Sequence, residues 1–256
     1  MGVINLTPDS FSDGGSYSTP DAAWAQIDKL ILHGAEIIDI GAESTRPGAL
    51  PVPPAVQIDR LGPILTRFKH RYSVGLSVDT TSSAVAEFAL QFGTDIINDI
   101  SALRFEPELA GHIANWDAIV VLNHSRATPE TMQSQPHYDD VVSEILSELT
   151  QSITLARAAG INKIIVDPGI GFGKTLDNNL ETLRHLRRFE TLGYPIMVGT
   201  SRKSFIAKIT GETDTSRLAG TISSTLWAIN NGARVLRVHD VEEVSKAVNV
   251  WQRING

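Results

Sequence analysis

The sequence predicts an α/β chain folded as a (β/α)8 barrel in a single domain, residues 1–256. Three observations predict it. Eight short runs rich in Ile and Val recur along the chain: Gly2–Leu6, Glu36–Ile40, Val74–Val78, Asp95–Ile100, Ala118–Leu122, Lys163–Val166, Pro195–Gly199 and Arg234–Val238. Each run is continuous rather than alternating, the pattern of strands buried on both faces in a parallel sheet. Each is followed by a helical pattern, and eight such units in 256 residues fit a (β/α)8 barrel.

The helices carry their own punctuation. Thr19-Pro20-Asp21 starts the first with a capping Thr, Pro in the first turn and an acid beside it, and Trp24, Ile27, Leu30 and Ile31 form its apolar stripe up to Gly34. Gly93, Gly160 and Gly232 stop the third, fifth and seventh helices. The fifth is the longest, expected over Tyr138–Ala159, with Val142, Ile145, Leu146, Leu149 and Ile153 near helical spacing. Pro47–Pro54 reads as a structured loop rather than a linker. The competing architecture, a doubly wound open sheet, opens with a Gly-rich turn after its first strand, and Asn5-Leu6-Thr7-Pro8-Asp9 is no such turn.

Composition narrows the function. Hydrophobic residues make up 42% and charged residues 20%, an ordinary globular balance. The net charge of −7, from 22 basic and 29 acidic residues, speaks against a general nucleic-acid or membrane-surface binder. With no cysteine, disulfides, zinc thiolates, iron–sulfur clusters and a Cys nucleophile are excluded. No apolar run approaches a membrane span, and no basic-then-apolar leader opens the chain, so a cytoplasmic protein is expected.

In such a barrel chemistry gathers at the C-terminal ends of the strands. Those ends hold Asn5; Glu43-Ser44-Thr45-Arg46; Asp79-Thr80; Asn98-Asp99; Asn123-His124; Asp167; Ser201-Arg202-Lys203; and Arg237 with His239-Asp240. A helix cap explains any one of these, Thr80 or Asp240 for example, but not eight in succession. The set has two characters. Arg46, Arg202, Lys203, Arg237, His124 and His239 are cationic or can become so and, with Asn5 and Thr45, suit an anion such as phosphate. Asp79, Asn98 and Asp167, with Lys203, suit the N–H-rich edge of a flat nitrogen heterocycle. A ligand for both is a heterocycle bearing phosphate or diphosphate.

Several patterns point elsewhere and fail. Gly169-Ile170-Gly171-Phe172-Gly173-Lys174-Thr175 ends like a phosphate loop, but Pro168 stands where that motif requires its first glycine. Its glycines are expected to serve tight turns near a ligand. The seven histidines lack paired metal spacing. No GxSxG nucleophile elbow occurs. Asn5 is expected to hold Mg²⁺ partly through a substrate diphosphate, as that ion prefers.

Taken together, Asn5-Leu6-Thr7-Pro8-Asp9-Ser10-Phe11-Ser12-Asp13-Gly14-Gly15, Glu43-Ser44-Thr45-Arg46-Pro47-Gly48, Val78-Asp79-Thr80, Ile97-Asn98-Asp99-Ile100, Asp167-Pro168-Gly169 with Gly171-Phe172-Gly173-Lys174, Ser201-Arg202-Lys203-Ser204 and Arg237-Val238-His239-Asp240 resemble the dihydropteroate synthase family along the whole chain. The resemblance implies a TIM barrel, usually a homodimer. It implies condensation of a dihydropterin methyl diphosphate with 4-aminobenzoate, giving dihydropteroate and diphosphate, by a dissociative route that needs no protein nucleophile. By position it implies Asp79, Asn98, Asp167 and Lys203 as the pterin site, and Asn5, Arg46, Arg237 and His239 as the diphosphate site, with Asn5 near Mg²⁺. Arg46, Lys203, Arg237 and His239 are the expected catalytic groups. It implies Phe11, Thr45, Pro47, Phe172, Arg202 and Ser204 as the 4-aminobenzoate pocket, where sulfonamides compete, and the loops carrying Phe11 and Arg46-Pro47 as a lid. The chain departs from the family at Asn123-His124-Ser125, commonly Met-His-Met, at Arg126-Ala127-Thr128-Pro129, which lacks a usual glycine, and at Ala42, commonly glycine. It also begins only a few residues before Asn5, so a short N-terminal segment common in the family is expected to be missing. Two other functions remain open: a pterin-binding methyltransferase domain serving a corrinoid, which would share Asp79, Asn98 and Asp167, and a non-catalytic pterin-binding relative.

Overall fold

The computed structural model describes residues 1–7, 20–46, 48–132, 136–212 and 217–255. Eight parallel strands follow one another in chain order: β1 (Gly2–Asn5), β2 (Ile37–Gly41), β3 (Gly75–Asp79), β4 (Ile96–Asp99), β5 (Ile119–Asn123), β6 (Ile164–Asp167), β7 (Ile196–Val198) and β8 (Ala233–Leu236). The sheet closes on itself. Just past β8, Val238 bridges to Gly2, with Val3 N–H donating to Val238 O at 3.1 Å and Val238 N–H to Met1 O at 3.0 Å. All eight expected strands are present, and the barrel forms as the sequence predicts.

The described helices are α1 (Pro20–Leu32), α2 (Pro54–Arg71), α3 (Ser83–Gln91), α4 (Glu108–Asn115), α5 (Val141–Ala158), α6 (Leu176–Arg184), α7 (Ser204–Thr210), α8 (Leu218–Asn230) and α9 (Val241–Asn255), with a 3-10 turn over Leu186–Leu192. They pack their apolar stripes on the strands: Ile27 and Leu30 of α1, Leu61, Ile64 and Phe68 of α2 and Ile145 and Leu149 of α5 are buried against outward strand residues such as Ile38, Ile40, Leu76 and Val78. Gly34, Gly93, Gly160 and Gly232 all adopt positive φ after their helices, the stops the sequence marked.

Two boundaries differ from expectation. The fifth helix begins at Val141, not Tyr138, because the Asp140 carboxylate accepts from Ser143 N–H at 3.1 Å and caps the helix there. The connection from β7 to β8 holds two helices rather than one, since Gly211 ends α7 in a left-handed turn. No helix among the described residues is long and apolar enough to cross a membrane.

Strand alternation sorts the barrel interior into layers. Ile96, Val121, Ile165 and Met197 form an apolar plug at the N-terminal end, with Ile37, Ile119 and Val235 against it. Two residues further along the same faces stand Asp39, Asn98, Asn123, Asp167 and Arg237. A dry floor beneath a polar upper layer directs ligands to the C-terminal mouth.

Candidate active site

The polar layer surrounds a narrow cleft at the C-terminal ends of the strands. Asp79, Asn98, Asn123, Asp167, Lys203 and Arg237 supply its polar walls, and Ile100, Ile170 and Phe172 its apolar ones. Sheet register places these groups. Asp79 is the partner of Asn98 across β3–β4, and Asn123 is the partner of Asp167 across β5–β6.

Arg237 is the hub. Its Nε donates to Asp39 Oδ2 and its Nη2 to Asp79 Oδ2, each at 2.7 Å. Asp39 also accepts from Ser77 Oγ–H at 2.6 Å and from Asn98 Nδ2 at 3.3 Å. Asn98 thereby spends one of its two amide hydrogens on the framework, and its Oδ1 is buried without a hydrogen-bond partner. The Oδ1 of Asn123 is also buried and unpartnered. A buried acceptor left open in this way is costly, and it is relieved when a donor arrives.

The carboxylates point to the same kind of ligand. Burial pushes Asp167 up to about 6, against the opposing N–H of Gly169, which donates to Oδ1 at 2.7 Å. Burial also raises Asp79, with Arg237 pulling the other way. Burial lowers Lys203 to about 8, with Arg237 adding to the effect, and its Nζ lies 4.0 Å from the centre of the Phe172 ring. The cleft thus offers acceptors on one side and an ammonium over an aromatic face on the other.

The mouth beyond it is cationic. His239 Nδ1 lies 3.1 Å from Ser201 Oγ, and its backbone N–H donates to the same oxygen at 3.2 Å. Burial and the charges of Arg237, Arg202, Lys203 and Arg46 hold its imidazole down at about 3, so it is neutral in the free protein. Arg46 is exposed, and Asn5 ends β1 beside Gly41 and Asp79. The Oδ1 of Asn5 would lie 3.6 Å from a Cβ placed on Gly41.

The structure locates the other expected residues less evenly. Arg202 holds a left-handed backbone and directs its guanidinium at Asp240, with Nε–Oδ2 3.1 Å and Nη2–Oδ1 2.5 Å. That bond, rather than a helix cap, is what the Asp240 side chain serves. Ser204 is exposed at the start of α7, and Thr45 is partly buried in the loop after β2. Phe11 and Pro47 lie outside the described residues. Glu43 braces its own loop instead of facing the cleft, accepting from Val52 N–H at 2.5 Å. His124, counted from the sequence among the possible cations, turns away from the cleft. Burial and Lys174 lower it to about 3.

Sequence reasoning missed Asp39 and Lys174. Asp39 interrupts the run Ile37-Ile38-Asp39-Ile40, and a charge inside a doubly buried strand was the available signal. Lys174 stood in view but inside a motif dismissed as a false phosphate loop.

A barrel with a polar, acceptor-lined cleft and a cationic mouth at its strand ends defines the class. The family model described as "Pterin binding enzyme" matches residues 1–239. The chain belongs to the dihydropteroate synthase family of pterin-binding enzymes. It is 43% identical over 253 residues to the dihydropteroate synthase of Synechocystis, covering 98% of this chain and 88% of that one. Among solved structures, the Xanthomonas albilineans dihydropteroate synthase with 4-aminobenzoic acid superposes with a TM-score of 0.93 at 41% identity, covering 100% of this chain and 92% of that one. The Yersinia pestis dihydropteroate synthase with a sulfonamide drug gives 0.94 at 38%, covering 99% and 93%.

Proposed function

We infer that the chain is a transferase that joins 6-hydroxymethyl-7,8-dihydropterin diphosphate to 4-aminobenzoate, releasing 7,8-dihydropteroate and diphosphate. The observation that carries this reading is the pair of unpartnered amide oxygens on Asn98 and Asn123, set among Asp79 and Asp167 in a narrow cleft beneath a cationic mouth. An N–H-rich ring satisfies the first half and a diphosphate the second.

In this reading Asp167, Asp79 and Asn98 accept from the pterin ring, and Lys203 donates to it. The bond between the pterin methylene and the diphosphate oxygen breaks, its electron pair leaving with the diphosphate. Arg46 and Arg237 stabilise that departing anion by their charge, and the neutral His239 by donating from its ring N–H. The arylamine nitrogen then donates its lone pair to the methylene carbon and loses its proton to solvent. Phe172, with Thr45, Arg202 and Ser204, bounds the arylamine pocket in this reading, and sulfonamides compete there; Phe11 and Pro47 are expected partners by family resemblance only.

Asn5 offers one neutral oxygen, and no group of three or more His, Asp or Glu that could hold a metal occurs among the described residues. That donor set fits Mg²⁺ arriving with the diphosphate, since this ion keeps few protein ligands and takes substrate phosphates. When bound, it adds positive charge beside the leaving group. The enzyme acts in the cytoplasm as a homodimer. Exposed Trp227 on α8 and Val250 and Ile254 on α9 support pairing through that face.

Calorimetry with 4-aminobenzoate separates this reading from a methyltransferase domain. Saturable arylamine binding in the presence of pterin and diphosphate is expected. Pterin binding with no arylamine site would contradict it.

A further inference from the structure

Lys174 closes the loop after β6, whose end looks like a phosphate loop without completing the motif. Its side chain instead turns into the protein and is 3% exposed. The ammonium donates to Gly169 O at 2.9 Å and Phe172 O at 3.1 Å, and it lies 3.0 Å from His124 Nδ1. An ammonium has only donors, so Nδ1 accepts and the imidazole proton sits on Nε2. That nitrogen meets Glu148 Oε2 at 3.0 Å. Glu148, on α5, is held in turn by Arg126 at 2.8 Å and Arg104 at 3.3 Å. The array runs from a buried loop to the protein surface, and none of its side chains lines the cleft.

Its acceptors are nevertheless those of the segment that shapes the cleft. The carbonyls of Gly169 and Phe172 bracket the turn that aims the Phe172 ring at Lys203. The same turn is closed by Phe172 N–H donating to Gly169 O at 3.1 Å and by Gly171 N–H donating to Asn179 Oδ1 at 2.6 Å. With its hydrogens committed and its head out of solvent, Lys174 cannot reach a phosphate. Burial pulls Lys174 down to about 7 against the opposing charges of Asp167 and Glu148, and the acceptors of this cage are what its ammonium has in place of water.

We propose that Lys174, braced through His124 by Glu148, is a positioning residue that fixes the Gly169–Phe172 turn and so sets the arylamine wall of the site. The proposal rests on the dihydropteroate synthase reading for what that wall contacts. A displaced reacting partner is felt steeply, since about 1 Å can cost about 100-fold. Lys174→Met is therefore expected to raise KM for 4-aminobenzoate by about 10- to 100-fold and to leave the dissociation constant of pterin diphosphate within about threefold. Glu148→Gln, altered at the exposed end, moves the arylamine KM in the same direction by less. Hydrogen exchange at Gly171 and Phe172 accelerates in both variants.

Equal losses for both substrates, or an unchanged arylamine KM in a folded Lys174→Met protein, would overturn the proposal. If Lys174→Met does not fold, an unchanged KM and unchanged exchange in Glu148→Gln overturn it. Should the unaltered protein make no dihydropteroate, the functional reading fails by itself, and the exchange rates alone decide whether Lys174 fixes the turn.

Discussion

At the scale of single residues, Asp167 carries the sharpest expectation. Its carboxylate faces the cleft with one oxygen already on Gly169 N–H. Removing one partner of a buried charge-assisted contact costs about 2–5 kcal/mol, so Asp167→Asn is expected to weaken pterin binding by roughly 30-fold or more. The pH dependence follows in sign. Burial raises Asp167 to about 6, above its unfolded value, so it favours the free folded state while protonated and loses that contribution as pH rises through about 6. Pterin needs the ionised form, so its affinity grows as pH rises through about 6. Calorimetry at several pH values checks both, and loss of the step near 6 in Asp167→Asn, leaving only the dependence that the raised Asp79 contributes, identifies the group. His239→Ala tests the anion end: turnover falls while a pterin lacking diphosphate binds as before. Arg237→Ala is a less selective probe. It strips the ion-pair partner from the buried Asp39 and Asp79, a loss of about 3–5 kcal/mol in comparable cases, so a lower melting temperature is expected beside any loss of turnover.

At the scale of elements, the glycines of the β6 loop explain why the polar layer holds its shape. Gly169 sits at φ +71°, and a Cβ there would lie 1.9 Å from His124 O. Gly193 has a similar φ of +77° with nothing within 4 Å. The Cβ at Gly169 would also lie 2.8 Å from Asn123 Oδ1 of the cleft wall, so Gly169→Ala is expected to displace the pterin cleft itself and abolish pterin binding, beyond loosening the turn, whereas Gly193→Ala costs about 1 kcal/mol in strain alone. Thermal melts with pterin titration compare them, and equal effects would contradict the assignment of Gly169 to the site. These elements also show what the sequence could disclose. The strand ends were legible because polar residues followed doubly buried apolar runs, and Asp79, Asn98 and Asp167 stand where that pattern put them. Asp39 was visible only as a charge inside an apolar run, and its role was not, because its partner Arg237 lies 198 residues away and no local pattern joins them. The start of α5 shifted because Asp140 capped it, and Tyr138 beside it still looked helical. Lys174 escaped because the conformation that turns it inward is set by tertiary carbonyls rather than by its neighbours in sequence.

At the scale of the whole molecule, the barrel brings two chemistries to one mouth: acceptors for a heterocycle below, cations for an anion above. Sulfonamides present an aniline ring with a sulfonyl group where the carboxylate of 4-aminobenzoate would sit. Sulfamethoxazole is therefore expected to compete with 4-aminobenzoate and to bind better once pterin diphosphate and Mg²⁺ are present. A titration of drug against arylamine, with and without pterin diphosphate, reads both, and non-competitive inhibition would count against the shared pocket. Chelating Mg²⁺ is expected to slow turnover and weaken arylamine binding together. The most direct measurement is a turnover assay with 6-hydroxymethyl-7,8-dihydropterin diphosphate and 4-aminobenzoate, following both products. The account predicts dihydropteroate and diphosphate in equal amounts, and their loss together in His239→Ala. Pterin binding without dihydropteroate formation when both substrates are present, or dihydropteroate formed without an equal amount of diphosphate, would contradict it.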